Sequence, residues 1–140
     1  MEKWIIYAFI SMLFAGVTSV IAKLGLTGIS GEMGLTIRTI FVFIFVLLFA
    51  VVAVPKQEFN LLTQQNILWL ALSSVTTSLS WLYYYRALKL GDVATIAIID
   101  KGSFIVAVIL AWLLLKEQIT MRIVIGCSFI LAGLLIVSRR

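Results

Sequence analysis

Residues 93–115 read VATIAIIDKGSFIVAVILAWLLL, a predominantly apolar run whose only charges are Asp100 and Lys101, with Gly102 and Ser103 directly behind them. A bilayer's hydrocarbon core asks for about 20 predominantly apolar residues per helix. Neither residues 93–99 nor residues 102–115 reach that length, so the segment crosses a membrane only with the charged pair inside it. A charge at that depth costs at least ~2.5–3.5 kcal/mol on insertion scales, so such residues face a bundle interior or a wet cavity and mark a pathway. The pair is the first pointer to function.

The remaining sequence has the same character. Of 140 residues 63% are hydrophobic and 12% charged, against roughly 45–50% apolar in soluble domains, so the chain reads as an integral membrane protein. Helices are expected at about residues 4–24, 35–54, 67–88, 93–115 and 121–138, an all-α bundle of five transmembrane helices in a single domain, 1–140. The connections are too short to fold as soluble domains. Pro55 stops the second helix, and Asp92 and Thr120 stand where N-caps belong. Met1-Glu2-Lys3-Trp4 resembles the charged start of a signal peptide, but the apolar run continues for a full span without an A-x-A-like cleavage site. It is expected to stay as the first helix.

Several function classes fall away. The net charge of +5 would suggest nucleic acid in a soluble protein, but most cations stand at helix ends, where topology and anionic head groups account for them. Cys127 is the one cysteine and histidine is absent, so no internal disulfide, Cys/His metal site or other cofactor is expected. With no histidine, no carboxylate pair at fixed spacing and no metal cluster to activate a nucleophile, the chain does not read as an enzyme. It has no G-x-x-x-x-G-K-[ST] loop either, so transport would draw on an ion gradient or the solute's own gradient.

The third helix is the most polar. Ser73, Thr77, Ser80 and Tyr84 recur at helical spacing, with Ser74, Ser78, Trp81 and Tyr85 on the adjoining stripe. Either the hydroxyls bond back to their own helix or glue neighbours, or the width of two stripes marks partial exposure to a cavity. In the fourth helix Asp100, Ser103, Ala107 and Ala111 share a face that should point inward. Small-residue faces on the first helix (Ser11, Ala15, Thr18, Ala22) and the last (Gly126, Gly133) read as packing seams.

Arg38, Arg86 and Lys23 fall in the same half of the bilayer as Asp100, which lies roughly 12 Å along its helix from Asp92. Successive helical residues point ~100° apart, so Asp100 is expected to pair with Arg38 or Arg86 rather than with Lys101. Cations left over would suit a solute with a carboxylate or other anionic group, unless they snorkel to the interface. Trp81 and Tyr84 either join an aromatic belt or contact substrate. The expected substrate-binding set is therefore Asp100, Lys101, Arg38, Trp81, Tyr84, Ser80, Thr77 and Ser103. Asp100, Arg86 and Lys23 form the expected coupling or structural ion pair.

Five helices would put the termini on opposite sides, with Lys3, Lys56, Lys116 and Arg122 on one face and Lys23, Arg38, Arg86, Lys89, Arg139 and Arg140 on the other. The bias favours a cytoplasmic carboxyl terminus only weakly, which permits insertion in both orientations. An odd-numbered repeat supplies inverted symmetry by pairing with another chain, so an antiparallel homodimer is expected, with a same-orientation dimer or a dissimilar partner as rivals.

Three motifs add a resemblance that covers nearly the whole chain. WLYYYRALKLGDVATIAIIDK is similar to an aromatic-rich R/x-A-L-x-x-G stretch, IDKGSFIVAVILAWLLLKEQIT resembles a run ending in a G-E-x-x-T turn (Glu117 and Thr120 match), and AGVTSVIAKLGL looks like an opening small-residue helix that closes on a lysine, here Lys23. In this order they resemble one repeat of the drug/metabolite transporter superfamily, in its EamA group. Long members carry two repeats and often a proline early in the fourth helix; this chain has one repeat and no proline there. Its Asp100-Lys101 resembles the short, single-repeat members. The resemblance implies transport of a small metabolite or drug-like solute, usually export, across the plasma membrane of a prokaryote, and carries over no substrate. The alternatives are a non-transporting membrane subunit that assembles with or regulates another protein, or a lipid flippase subunit.

Overall fold

The computed structural model describes residues 3–138. Its elements are α1 Lys3–Gly25, α2 Gly31–Ala53, a 3-10 helix Lys56–Leu61, α3 Gln64–Leu90, α4 Val93–Lys101, α5 Ser103–Leu114 and α6 Met121–Ser138, and no strand occurs among the described residues. The fourth of the five expected helices is interrupted at Gly102, so the described residues hold six α-helices. Among the described residues four segments are long and apolar enough to cross a membrane: Lys3–Gly25, Gly31–Ala53, Val93–Leu114 taken across the break, and Met121–Ser138. The hydroxyl-rich α3, 27 residues long, is not among them. Arg139 and Arg140, on which the charge bias partly rests, lie outside the described residues.

The chain divides into two compact units, Ala22–Leu90 and Met1–Ile21 with Gly91–Arg140. In the first, the turn after α1 passes through Gly28 at φ +76°, a left-handed conformation that costs glycine nothing. Ser30 then caps α2, its hydroxyl accepting from the Met33 amide at 3.2 Å. Thr63 does the same for α3, accepting from Asn66 at 3.1 Å. Each cap satisfies a first-turn amide that has no partner within the helix.

The buried residues of this unit gather where α1 and α3 end and α2 begins: Leu26 (3% exposed), Tyr85 (4%), Leu88 (0%) and Gly31. A Cβ on Gly31 would stand 2.8 Å from the Tyr85 carbonyl oxygen, so backbone lies directly on backbone. Two lysines tie the same end: Lys23 Nζ donates to the Leu88 carbonyl and Lys89 Nζ to the Leu26 carbonyl at 3.1 Å. Each cation meets carbonyls that a helix terminus leaves open and carries charge of the sign that a carboxyl-terminal dipole favours.

In the second unit α4 packs against α5 and α6. The Gly102 amide bonds to Ile99 O at 2.9 Å. A Cβ at Gly102 would meet Leu134 Cδ1 at 2.8 Å and Ile99 O at 3.0 Å, so a side chain of α6 lies close against the break. Beyond α5, Lys116 sits at φ 56°, the position glycine holds in the G-E-x-x-T turn that this stretch resembles. A side chain there carries left-handed strain of roughly 1–2 kcal/mol. The caps of α4 and α6 differ from expectation in detail. Asp92 is the N-cap residue of α4 but makes no side-chain cap bond; its carbonyl accepts from Ile96, as the Thr120 carbonyl accepts from Ile123 and Val124.

Because the obstacle at Gly31 is backbone, Gly31→Ala is expected to destabilise the fold by about 1–3 kcal/mol, the usual cost of overpacking. Gly16, with nothing within 4 Å, should accept alanine without loss. Thermal unfolding in detergent, followed by circular dichroism, checks both.

Candidate functional site

Arg38 lies seven residues past Gly31 on α2, about 10 Å along the axis. Its guanidinium carbon stands 4.3 Å from the centroid of the Trp81 ring and 5.9 Å from that of Tyr85. Trp81 and Tyr85 are four apart on α3 and so share one face. Tyr85 is locked: it is buried, and its ring meets Tyr84 edge-on at 6.4 Å and 62°. Arg38 Nη1 is shut off from water, and no acceptor among the described residues reaches it. Cation–π attraction recovers ~0.5–2 kcal/mol, comparable to the ~1–3 kcal/mol that an unpaired buried donor costs.

Nearer the start of α2, Glu32 accepts from Arg86 Nε at 2.7 Å, with the two side chains 49% and 51% exposed. Arg86 also lies 5.9 Å from the Tyr83 ring. Glu32 was not singled out from sequence, because a helix start at residue 35 leaves it in the glycine-rich turn. With Ser30 recognised as the cap, Glu32 becomes a first-turn acid, the placement that a helix dipole favours, opposite the basic end of the antiparallel α3. Lys23, expected to join an ion pair with Asp100 and Arg86, gives its ammonium to the Leu88 carbonyl.

At the break in the other unit, Lys101 Nζ stands 3.7 Å from Asp100 Oδ2, the side chains 59% and 39% exposed. Among the described residues Arg86 is thus paired with Glu32 within Ala22–Leu90, and Lys101 with Asp100 within the other unit. The ~100° between successive Cβ directions does not prevent this, since the flexible four-carbon stem of lysine can bend back from the last residue of α4. Ser103 opens α5 beside them.

On α3, Thr77 bonds to Ser73 O at 2.8 Å, Ser78 to Ser74 O at 2.8 Å, Ser74 to Ala71 O at 2.7 Å and Thr76 to Ser73 O at 2.9 Å. These hydroxyls bond back to their own helix, and residues 64–80, Thr77 and Ser80 included, are exposed. The structure thus gathers Arg38, Trp81 and the unforeseen Tyr85, with Tyr84 alongside. It places Asp100, Lys101 and Ser103 together at the break. The α5–α6 groove of about 210 Å³, lined by Ile105, Val108, Ile123, Cys127 and Leu131 among others, is almost wholly apolar and offers a charged solute little.

Since the Glu32–Arg86 pair is half-exposed, Glu32→Gln should leave stability nearly unchanged, whereas Tyr85→Ala should cost about 3–5 kcal/mol. Denaturant titration in micelles distinguishes the two.

The EamA-like transporter family matches residues 2–139. The chain is 34% identical over 137 residues, 98% of its own length and 97% of the relative's, to a Sinorhizobium sp protein described as "Uncharacterized transporter in cobO 3'region". No solved structure matches it.

Proposed function

The chain belongs to the EamA-like transporter family, and on that premise we propose that it is a secondary carrier that exports a small metabolite or drug-like solute across a prokaryotic plasma membrane as an antiparallel dimer. The observation that carries this reading is the break of the fourth span at Gly102, directly behind the Asp100–Lys101 pair. Secondary carriers bind solute and coupling ion near the midplane on discontinuous helices, where irregular backbone and charge line a cavity instead of facing lipid. Asp100, Lys101 and Ser103 supply that element here, and within Ala22–Leu90 the residues proposed to meet solute are Arg38, Thr77, Ser80, Trp81 and Tyr84.

The dimer follows from α3. Its hydroxyls leave it outside the spans apolar enough to face lipid, yet residues 64–80 are exposed throughout. A fifth crossing by α3 needs cover, and a second, oppositely inserted copy provides both the cover and inverted-repeat symmetry. Asp100 is the coupling acid in this scheme, and Lys101 holds its charge until solute or proton displaces it.

Purified protein in liposomes should change the lumenal pH as solute moves, read by an entrapped pH dye, and Asp100→Asn should abolish the change. A pH signal equal in Asp100→Asn and parent removes Asp100 from coupling. Tags on each terminus should be found on both sides of the membrane in comparable amounts, and a single orientation sinks the antiparallel arrangement.

A further inference from the structure

Within Ala22–Leu90 the cations around the α2–α3 contact are Lys23, Arg38, Arg86 and Lys89. Lys23 and Lys89 donate to the carbonyls of Leu88 and Leu26, and Arg86 is paired with Glu32. Arg38 has aromatic rings but, among the described residues, no carboxylate and no acceptor for its buried Nη1. Water does not reach the nitrogen, and Glu32, the acid on the same helix, is paired with Arg86. The missing partner is an anionic oxygen, and the planar fork of a guanidinium matches the two oxygens of a carboxylate.

We propose that Arg38 is the recognition point for a carboxylate on the transported solute, with Trp81 and Tyr85 forming the wall against which the adjoining flat or apolar part of that solute packs. The inference rests on the carrier reading and names its substrate class. Of the two rings, Tyr85 is fixed by burial, while Trp81 is only partly buried. Trp81 is therefore the side chain that shifts as the carboxylate reaches Nη1. The same geometry disfavours cationic solutes, since Arg38 already occupies the ring faces that would attract them.

The test uses the full chain in detergent with Trp4, Trp69 and Trp112 replaced by phenylalanine, so that fluorescence reports Trp81 alone. The probes are benzoate, its neutral isostere benzamide, and inorganic phosphate. Benzoate should give a saturable change, with benzamide and phosphate at least ~10-fold weaker, and Arg38→Gln should weaken benzoate by a similar factor through loss of the charged fork. Arg38→Lys keeps the charge and stands in should the glutamine variant not fold; it should bind benzoate more weakly than the parent because it lacks the fork. Equal binding of benzamide overturns the role of charge, equal binding of phosphate overturns the carboxylate class, and parent-like benzoate binding by the arginine variants overturns Arg38. If benzoate fails while the protein moves other solutes in liposomes, this inference falls and the carrier reading stands. If benzoate binds but nothing is transported, the carrier reading falls and the site stands.

Discussion

Backbone resting on backbone at Gly31 and Tyr85 sets the geometry of the whole α2–α3 pair. With a Cβ meeting a carbonyl oxygen at 2.8 Å, the start of α2 approaches the end of α3 only because the residue is glycine. Its neighbours depend on that approach. Tyr85 is buried, its ring is held in place, and Arg38 two turns along α2 comes within cation–π distance of both Trp81 and Tyr85. A wider contact would separate the guanidinium from the rings and let water reach Nη1.

Charge in an apolar environment is tolerated when each ion finds a local answer. Lys23 and Lys89 answer open helix carbonyls, Glu32 answers Arg86 near a helix start, and Asp100 and Lys101 answer each other across one peptide unit. The pairings of Lys23, Lys89 and Arg86 call for no substrate. The distinction of Arg38 is that it has received only half of such an answer: its π contacts stabilise the cation's face while one of its edge donors goes unmatched.

Much of the fold was legible in the sequence, since apolar runs of span length between short connectors admit little else than a membrane helix bundle. Family membership was legible too, from aromatic, glycine and lysine positions in order. What escaped were features decided by a few tenths of a nanometre. The start of α2 was set at residue 35 because the glycine spacing through 34 reads as loop, yet Ser30 captures the Met33 amide and the helix begins at Gly31. The break at Gly102 escaped because apolar sequence resumes behind it and helical periodicity carries across. The Lys101–Asp100 and Arg86–Glu32 contacts were not legible because azimuth alone neglects the reach of a lysine stem, and because a helix start at residue 35 leaves Glu32 in a turn. Trp81 and Tyr85 share one stripe in the sequence, but that Arg38 stands over both rings is decided by the opposing α2, which periodicity on α3 cannot express.

The buried residues of Ala22–Leu90 gather at one end, and none of residues 45–70 is buried. Mechanically this is a pair of rods clamped at a single fulcrum. A helix of 23 residues is about 34 Å long at 1.5 Å per residue, so a tilt of roughly 5° at the clamp carries the free tip ~3 Å, on the order of a water diameter. Widening at the unclamped end therefore requires no rearrangement at the clamp, and Arg38, close to the pivot, would hold nearly still while the mouth beyond it opens and shuts.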